Sequence, residues 1–280
     1  MLNYITWDAN PILIDSFVQV RWYGLMFAIG FWIGYNIMYK IFRHEGATER
    51  WLGILFLWVA AGTVIGARLG HVFFYEWDDY YSMHPSKILA IWEGGLASHG
   101  GTIGIMIAVI LFSIITTRRN PLWTFDRLVI PIALVGAMIR FGNLMNSEIY
   151  GHPTTLPWGF IFVRGHEYPG LPCHPTQLYE SACYLALFVL LMWMYWKKNA
   201  ERRPGLILGV FFTMLFSCRF LIEFVKNPQV GFEANMTLNM GQLLSIPFIF
   251  IGIGLIIYSM VRPPVEINFP NHFADEPDKK

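Results

Sequence analysis

Seven apolar runs, each close to the length of a membrane-spanning helix, leave this chain few folds to choose from. A helix needs about 20 mainly apolar residues to cross a bilayer, and such runs occur at about 18–39, 51–74, 91–116, 125–145, 176–196, 205–224 and 241–261. Only 14% of the residues are Asp, Glu, Lys or Arg, against about a quarter in a soluble globular domain. The expected fold class is therefore an all-α integral membrane protein with about seven transmembrane helices. The fourth run is the least regular, because Asp126, Arg127, Pro131 and Arg140 bound or interrupt it.

Charge in the loops orients the spans. One alternating set of loops carries Lys40, Arg43, Arg50, Arg118, Arg119, Lys197, Lys198, Arg202, Arg203 and Arg262, and the other only Lys87, Arg164 and Lys226. Basic loops stay cytoplasmic, so the N-terminus is expected outside and the C-terminus inside, which requires an odd number of spans. Asp8 and Asp15 with no Lys or Arg before Arg21 argue against a cleaved signal peptide. The Pro- and Gly-rich stretch 146–175 reads as a small, loop-rich or short-stranded outer head. The expected organisation is 1–145 with the first four spans, 146–175 as the extracytoplasmic head, 176–262 with the last three spans, and 263–280 as a cytoplasmic tail.

Several chemistries are excluded. A net charge of +1 provides no broad basic surface for nucleic acid. Cys173, Cys183 and Cys218 show neither a CxxC pair nor metal-ligand spacing. HExxH, GxSxG and P-loop motifs are absent, and the acidic residues are dispersed, so neither metal nor cofactor is expected.

What remains is cationic. Arg68, Arg140 and Arg219 lie within apolar runs, where a charge costs about 2.5–3.5 kcal/mol on insertion scales. Each is either paired with an acid or placed for function. Glu223, four residues after Arg219, and Glu148, two turns beyond Arg140, are the available partners. Arg140, Asn143 and Ser147 share one helical stripe leading to Glu148 and the Gly151 turn, as the lining of a polar cavity would. Arg219, Glu223 and Lys226 form a second stripe ending at Asn227-Pro228, and Arg68, His71 and Tyr75 a third that is either another wall or a buried network. Gly62, Gly66 and Gly70 recur every four residues and invite close approach of another helix. His99, beside Gly100 and Gly101, can exchange protons near neutral pH. Thr176 is placed to cap the fifth span. Guanidinium groups in a low-dielectric setting suit a phosphate, and a phospholipid headgroup is the natural ligand.

The segments Arg21-Trp22-Tyr23-Gly24, SHGGTIG from Ser98, RFGNLMNSEIYG from Arg140, HPTQLYE from His174, RFLIEF from Arg219 and MGQLLSIP from Met240 occur in that order. In this the chain resembles the phosphatidylglycerol:prolipoprotein diacylglyceryl transferase family over about residues 12–262. The resemblance implies transfer of the diacylglyceryl group of phosphatidylglycerol to the lipobox cysteine thiol of a prolipoprotein, in the bacterial cytoplasmic (inner) membrane, with the site toward the exported side. It implies roles for His99, Arg140 and Arg219 in catalysis and for Tyr23, Asn143, Glu148, Gly151 and Lys226 in substrate binding. Leu215 stands where the family can carry a tyrosine, and Lys226 replaces an arginine. His99 is the candidate base for the thiol; an arginine lowering the thiol pKa is the alternative. A transporter and a lipid-binding scaffold are the rival readings of the same polar stripes.

Overall fold

The computed structural model describes residues 4–16, 19–91, 94–95, 97–227 and 237–267. Seven helical stretches are long and apolar enough to cross a membrane, built on α1 Trp22–Glu45, α2 Glu49–Phe74, α3 Ser98–Leu111, α4 Pro121–Met145, α5 Thr176–Lys198, α6 Leu206–Ile222 and α7 Met240–Val261, the third running on to Thr117 and the sixth to Val225. A π-helical stretch, Phe112–Thr117, extends α3. The described residues up to 38 and from 126 to 266 form one compact unit, and those from 39 to 125 another. The tail beyond residue 267 and Pro228 of the expected helix stop lie outside the described residues.

In the 39–125 unit, α2 and α3 meet through their glycines. A Cβ on Gly62 would stand 2.6 Å from the Gly104 carbonyl oxygen, one on Gly70 2.6 Å from Gly100 Cα, and one on Gly66 would strike the Gly100 carbonyl. The backbones touch as the four-residue spacing predicts, with no space for any side chain. The third span starts later than its apolar run suggests, at Ser98 instead of about 91. Gly94 and Gly95 take φ of +87° and +72°, which ends helical geometry there. Arg68 holds the non-helical loop. Its guanidinium donates to the carbonyls of Lys87 (2.7 Å), Ile88 (2.8 Å), Gly94 (2.5 Å) and Gly95 (3.4 Å). It also lies over the Tyr81 ring at 5.2 Å. At 2% exposure, an arginine engaged by four loop carbonyls is a structural group, because removing it would take away the donor that gathers that loop.

α4, which lies mostly in the other unit, is one continuous helix through Asp126, Arg127, Pro131 and Arg140, the residues that bound or interrupt its apolar run. Pro121 starts it, where a missing N–H does no harm, and the charges have local employment. Asp126 accepts from the backbone N–H groups of Gly205 (2.7 Å) and Leu208 (2.8 Å), closing the N-terminus of α6. Arg127 donates to the Glu201 carbonyl (3.0 Å). Both side chains are fully buried, so they satisfy backbone groups that would otherwise lack partners.

The expected short-stranded region is present and recruits the chain's beginning. β1 (Ile5–Trp7) pairs in parallel with β4 (Phe160–Phe162), which pairs antiparallel with β5 (Pro172–Cys173). β2 (Ile12–Ile14) and β3 (Val20–Arg21) form a separate antiparallel pair. Leu144, Tyr150, Phe160, Phe162 and Cys173 build the core under the three-stranded sheet, with Trp7 packed on it. The Trp7 indole N–H ties the sheet to α4 by donating to the Leu144 carbonyl at 2.9 Å.

Candidate active site

Arg140 on α4 is the centre of a charged network, and its partner is not the one expected. Its Nε stands 2.8 Å from Glu180 Oε2 on α5, whereas Glu148 instead accepts from Asn143 Nδ2 (2.7 Å) and Asn146 Nδ2 (3.2 Å). The backbone turns sharply after α4, so Glu148 is not on a continuing helix two turns above Arg140. Ser147 and Ile149, on either side of Glu148, both take left-handed φ, +54° and +60°, costly for a β-branched residue. The turn is held by its carbonyls. Gln177 Nε2 donates to Glu148 O (2.6 Å) and Thr176 Oγ1 to Ile149 O (2.8 Å). Thr176 therefore fastens this turn and does not cap α5, whose N-cap residue is Pro175 with no capping side chain.

Glu180 also holds Lys226: Nζ lies 3.3 Å from Oε1 and 3.6 Å from Glu223 Oε2. Glu180 is fully buried and Lys226 is 2% exposed. Glu223 thus pairs with Lys226, not with Arg219 as its helical spacing suggested. The reason is local: α6 ends at Ile222, a 3-10 turn covers Glu223–Val225, and Lys226 is extended. Lys226 forms a bridge with Gly151, and His152 N–H donates to the Val225 carbonyl at 2.9 Å. A Cβ on Gly151 would collide with that carbonyl and approach Thr176 Cγ2 to 2.8 Å. Gly151 and Lys226, expected at the substrate, are engaged here in strand contact and ion pairing.

Arg219 is different. It makes neither an ion pair nor a hydrogen bond with any described residue. Arg140 and Arg219 both lie within electrostatic reach of Tyr184. Arg140 Nη1 further donates to Asn143 Oδ1 at 3.3 Å. The Tyr23 ring sits against Gly142, where an added Cβ would meet Tyr23 Cδ2 at 3.0 Å. One unit therefore gathers Arg140, Arg219, Asn143, Glu148, Tyr23, Gly151 and Lys226. His99 belongs to the other unit, exposed at the head of α3, its ring 5.5 Å from Phe74 and 5.7 Å from Tyr75 between centroids.

Two members of the network were not singled out from sequence, Glu180 and Tyr184. An acid and a phenol four residues apart within an apolar helix was the available signal, since that spacing puts both on one face. The phenol near the arginines comes from α5, while Leu215 on α6 offers none.

Fold and network together define a polytopic membrane protein that keeps cations among its helices, one of them, Arg219, without a carboxylate partner among the described residues, an arrangement suited to an anionic group. A model of the prolipoprotein diacylglyceryl transferase family matches residues 11–258. Among similar proteins, the phosphatidylglycerol–prolipoprotein diacylglyceryl transferase of Porphyromonas gingivalis is 53% identical over 273 residues, covering 93% of this chain and 96% of the relative. Proteins of the same name from Chloroherpeton thalassium and Tolumonas auensis are 46% and 47% identical, covering 94% and 90% of this chain and 97% and 96% of their own lengths. The chain belongs to the prolipoprotein diacylglyceryl transferase family.

Proposed function

We propose that this protein transfers the sn-1,2-diacylglyceryl group of phosphatidylglycerol to the lipobox cysteine of prolipoprotein precursors, in the bacterial cytoplasmic membrane. The cysteine sulfur attacks the glyceryl carbon that carries the phosphate. An S–C bond forms, the C–O bond to phosphate breaks with its electron pair going to the leaving oxygen, and the products are a thioether and glycerol phosphate. The leaving phosphate is already a stabilised anion, so the protein's tasks are to supply a thiolate and to hold that anion. Arg140 and Arg219 hold the phosphate, and Asn143 and Tyr23 add neutral hydrogen bonds. Glu148, fixed by its turn, orders Asn143. His99 takes the thiol proton.

The carrying observation is Arg219, a cation among apolar helices with no carboxylate partner among the described residues, paired across Tyr184 with Arg140. A charge at that depth without a counter-ion is suited to one brought by substrate. The basic loops support an outer N-terminus, with the 146–175 head and the site on the exported side, where a precursor presents its cysteine.

The test is incubation of purified protein with labelled phosphatidylglycerol and a lipobox peptide, followed by mass measurement. A peptide heavier by one diacylglyceryl group is expected. Lipid counterflow in liposomes without that product would establish a transporter, and lipid binding with neither outcome a scaffold.

A further inference from the structure

We infer that Glu180 is a positioning residue for transfer, turning Arg140 so that its Nη edge, and not its Nε, faces the phosphate; the inference rests on the transfer reading above. A buried carboxylate facing an arginine alone would take it bidentately, through two parallel N–H groups, and use up its fork. Here Glu180 divides itself. Oε1 accepts from Lys226 Nζ (3.3 Å), and Oε2 stands in ion-pair contact with Arg140 Nε (2.8 Å) without taking a hydrogen bond from it, leaving Nη1 to a neutral partner, Asn143 Oδ1 (3.3 Å). The ion pairs agree. Glu180 and Glu223 contact Arg140 and Lys226, Glu148 is held by the Asn143 and Asn146 amides, and Arg219 has no carboxylate at ion-pair distance among the described residues. Lys226 then serves the substrate through Glu180, by keeping that carboxylate from closing on the whole guanidinium.

The experiment is a double-mutant cycle with Glu180→Gln and Arg140→Lys. It is read in single-turnover transfer from phosphatidylglycerol to a lipobox peptide, and in equilibrium binding of phosphatidylglycerol micelles. If Glu180 acts by aiming the planar fork of Arg140, Glu180→Gln lowers transfer or lipid affinity about tenfold or more in the parent. In the Arg140→Lys background, which has no fork to aim, it changes them less than about twofold. Equal losses in both backgrounds, or parent-like behaviour of Glu180→Gln, overturn the inference. Glu180→Asp keeps the charge but withdraws it by one methylene, and serves in the same cycle should Glu180→Gln fail to accumulate. Restoration of full transfer by Glu180→Asp would show that only charge neutralisation matters, which also overturns it. A parent protein that yields no thioether refutes the transfer reading itself, an outcome separate from any result of the cycle.

Discussion

Asn143 Nδ2 donates to Glu148 Oε1 across 2.7 Å, while Asn143 Oδ1 accepts from Arg140 Nη1 at 3.3 Å. One amide therefore stands between a cation and a carboxylate and satisfies each with the appropriate end. At 4% exposure it has little water to fall back on. Asn143→Ala should lower transfer about tenfold or more by freeing both neighbours. Asn143→Asp should be worse despite near-identical shape, because the new carboxylate faces Glu148 and competes with the phosphate for Arg140. Transfer rates of the two variants at equal membrane levels check this order.

The two arginines should separate when stability is measured beside transfer. Both Arg140→Ala and Arg219→Ala are expected to lower transfer by about 100-fold or more, as loss of a group that holds developing charge does. Arg140→Ala also leaves the buried Glu180 with Lys226 alone, and should reduce stability by about 3 kcal/mol. Arg219 has no carboxylate partner to strand among the described residues, so its variant should unfold close to the parent. Thermal unfolding in detergent distinguishes them.

Number and helicity of the spans were legible because hydrophobic length is a property of contiguous residues, but their limits were not, as the late start of the third span at Ser98 shows. The glycine stripe was legible too, and its consequence appears at Gly66 and Gly104. Partner choice was not legible. Helical spacing assigned Glu223 to Arg219 and Glu148 to Arg140, yet the chain leaves the helix at Ile222 and Met145; Arg140 meets Glu180 of α5, Glu223 meets Lys226, and Arg219 has no ion-pair partner among the described residues. The same limit hid the role of Asp126. On the sequence it is a charge spoiling a span, and only the fold reveals the amide groups of Gly205 and Leu208 that it serves. β1 escaped notice because three residues carry no periodicity, and its identity as a strand depends on Phe160–Phe162, over 150 residues away.

Asp126 gives a prediction about stability alone. Asp126→Ala removes the acceptor for two backbone N–H groups at the start of α6, in a fully buried place. Loss of a helix cap typically costs about 1 kcal/mol, and burial of the stranded donors raises this to roughly 2–3 kcal/mol. Transfer per folded molecule should stay near the parent value, which activity normalised to the folded fraction will show.

His99 tests the base. His99→Gln keeps a polar side chain of similar reach but cannot take up a proton near neutral pH. If it accepts the thiol proton, the variant should lose about 10²–10⁴-fold in rate. Raising the pH toward the thiol's own pKa, near 8.5, should recover part of that. A parent-like rate and pH profile would remove His99 from that role and leave thiol activation to the arginines.

His174, just before α5, provides the pH dependence of folding. Burial, and secondarily the nearby His152, lower its pKa from the usual 6.5, so the folded protein resists protonating it while the unfolded chain does not. Above about pH 6.5 neither form holds the proton and the full stability is present. As pH falls below that value the unfolded chain gains protons first, and stability is lost until the folded pKa is passed. His174 Nδ1 lies 3.3 Å from the Tyr179 hydroxyl, a contact that a glutamine amide can replace without titrating. His174→Gln should therefore flatten the fall in thermal stability between about pH 7 and pH 5 relative to the parent, with little change at about pH 8. Cys173, one residue away, gives an independent reading of the same region. Burial and the Glu167 charge push its thiol up to about 11, so it should resist maleimide at about pH 8 in the folded protein and react at that pH once denaturant has opened the sheet.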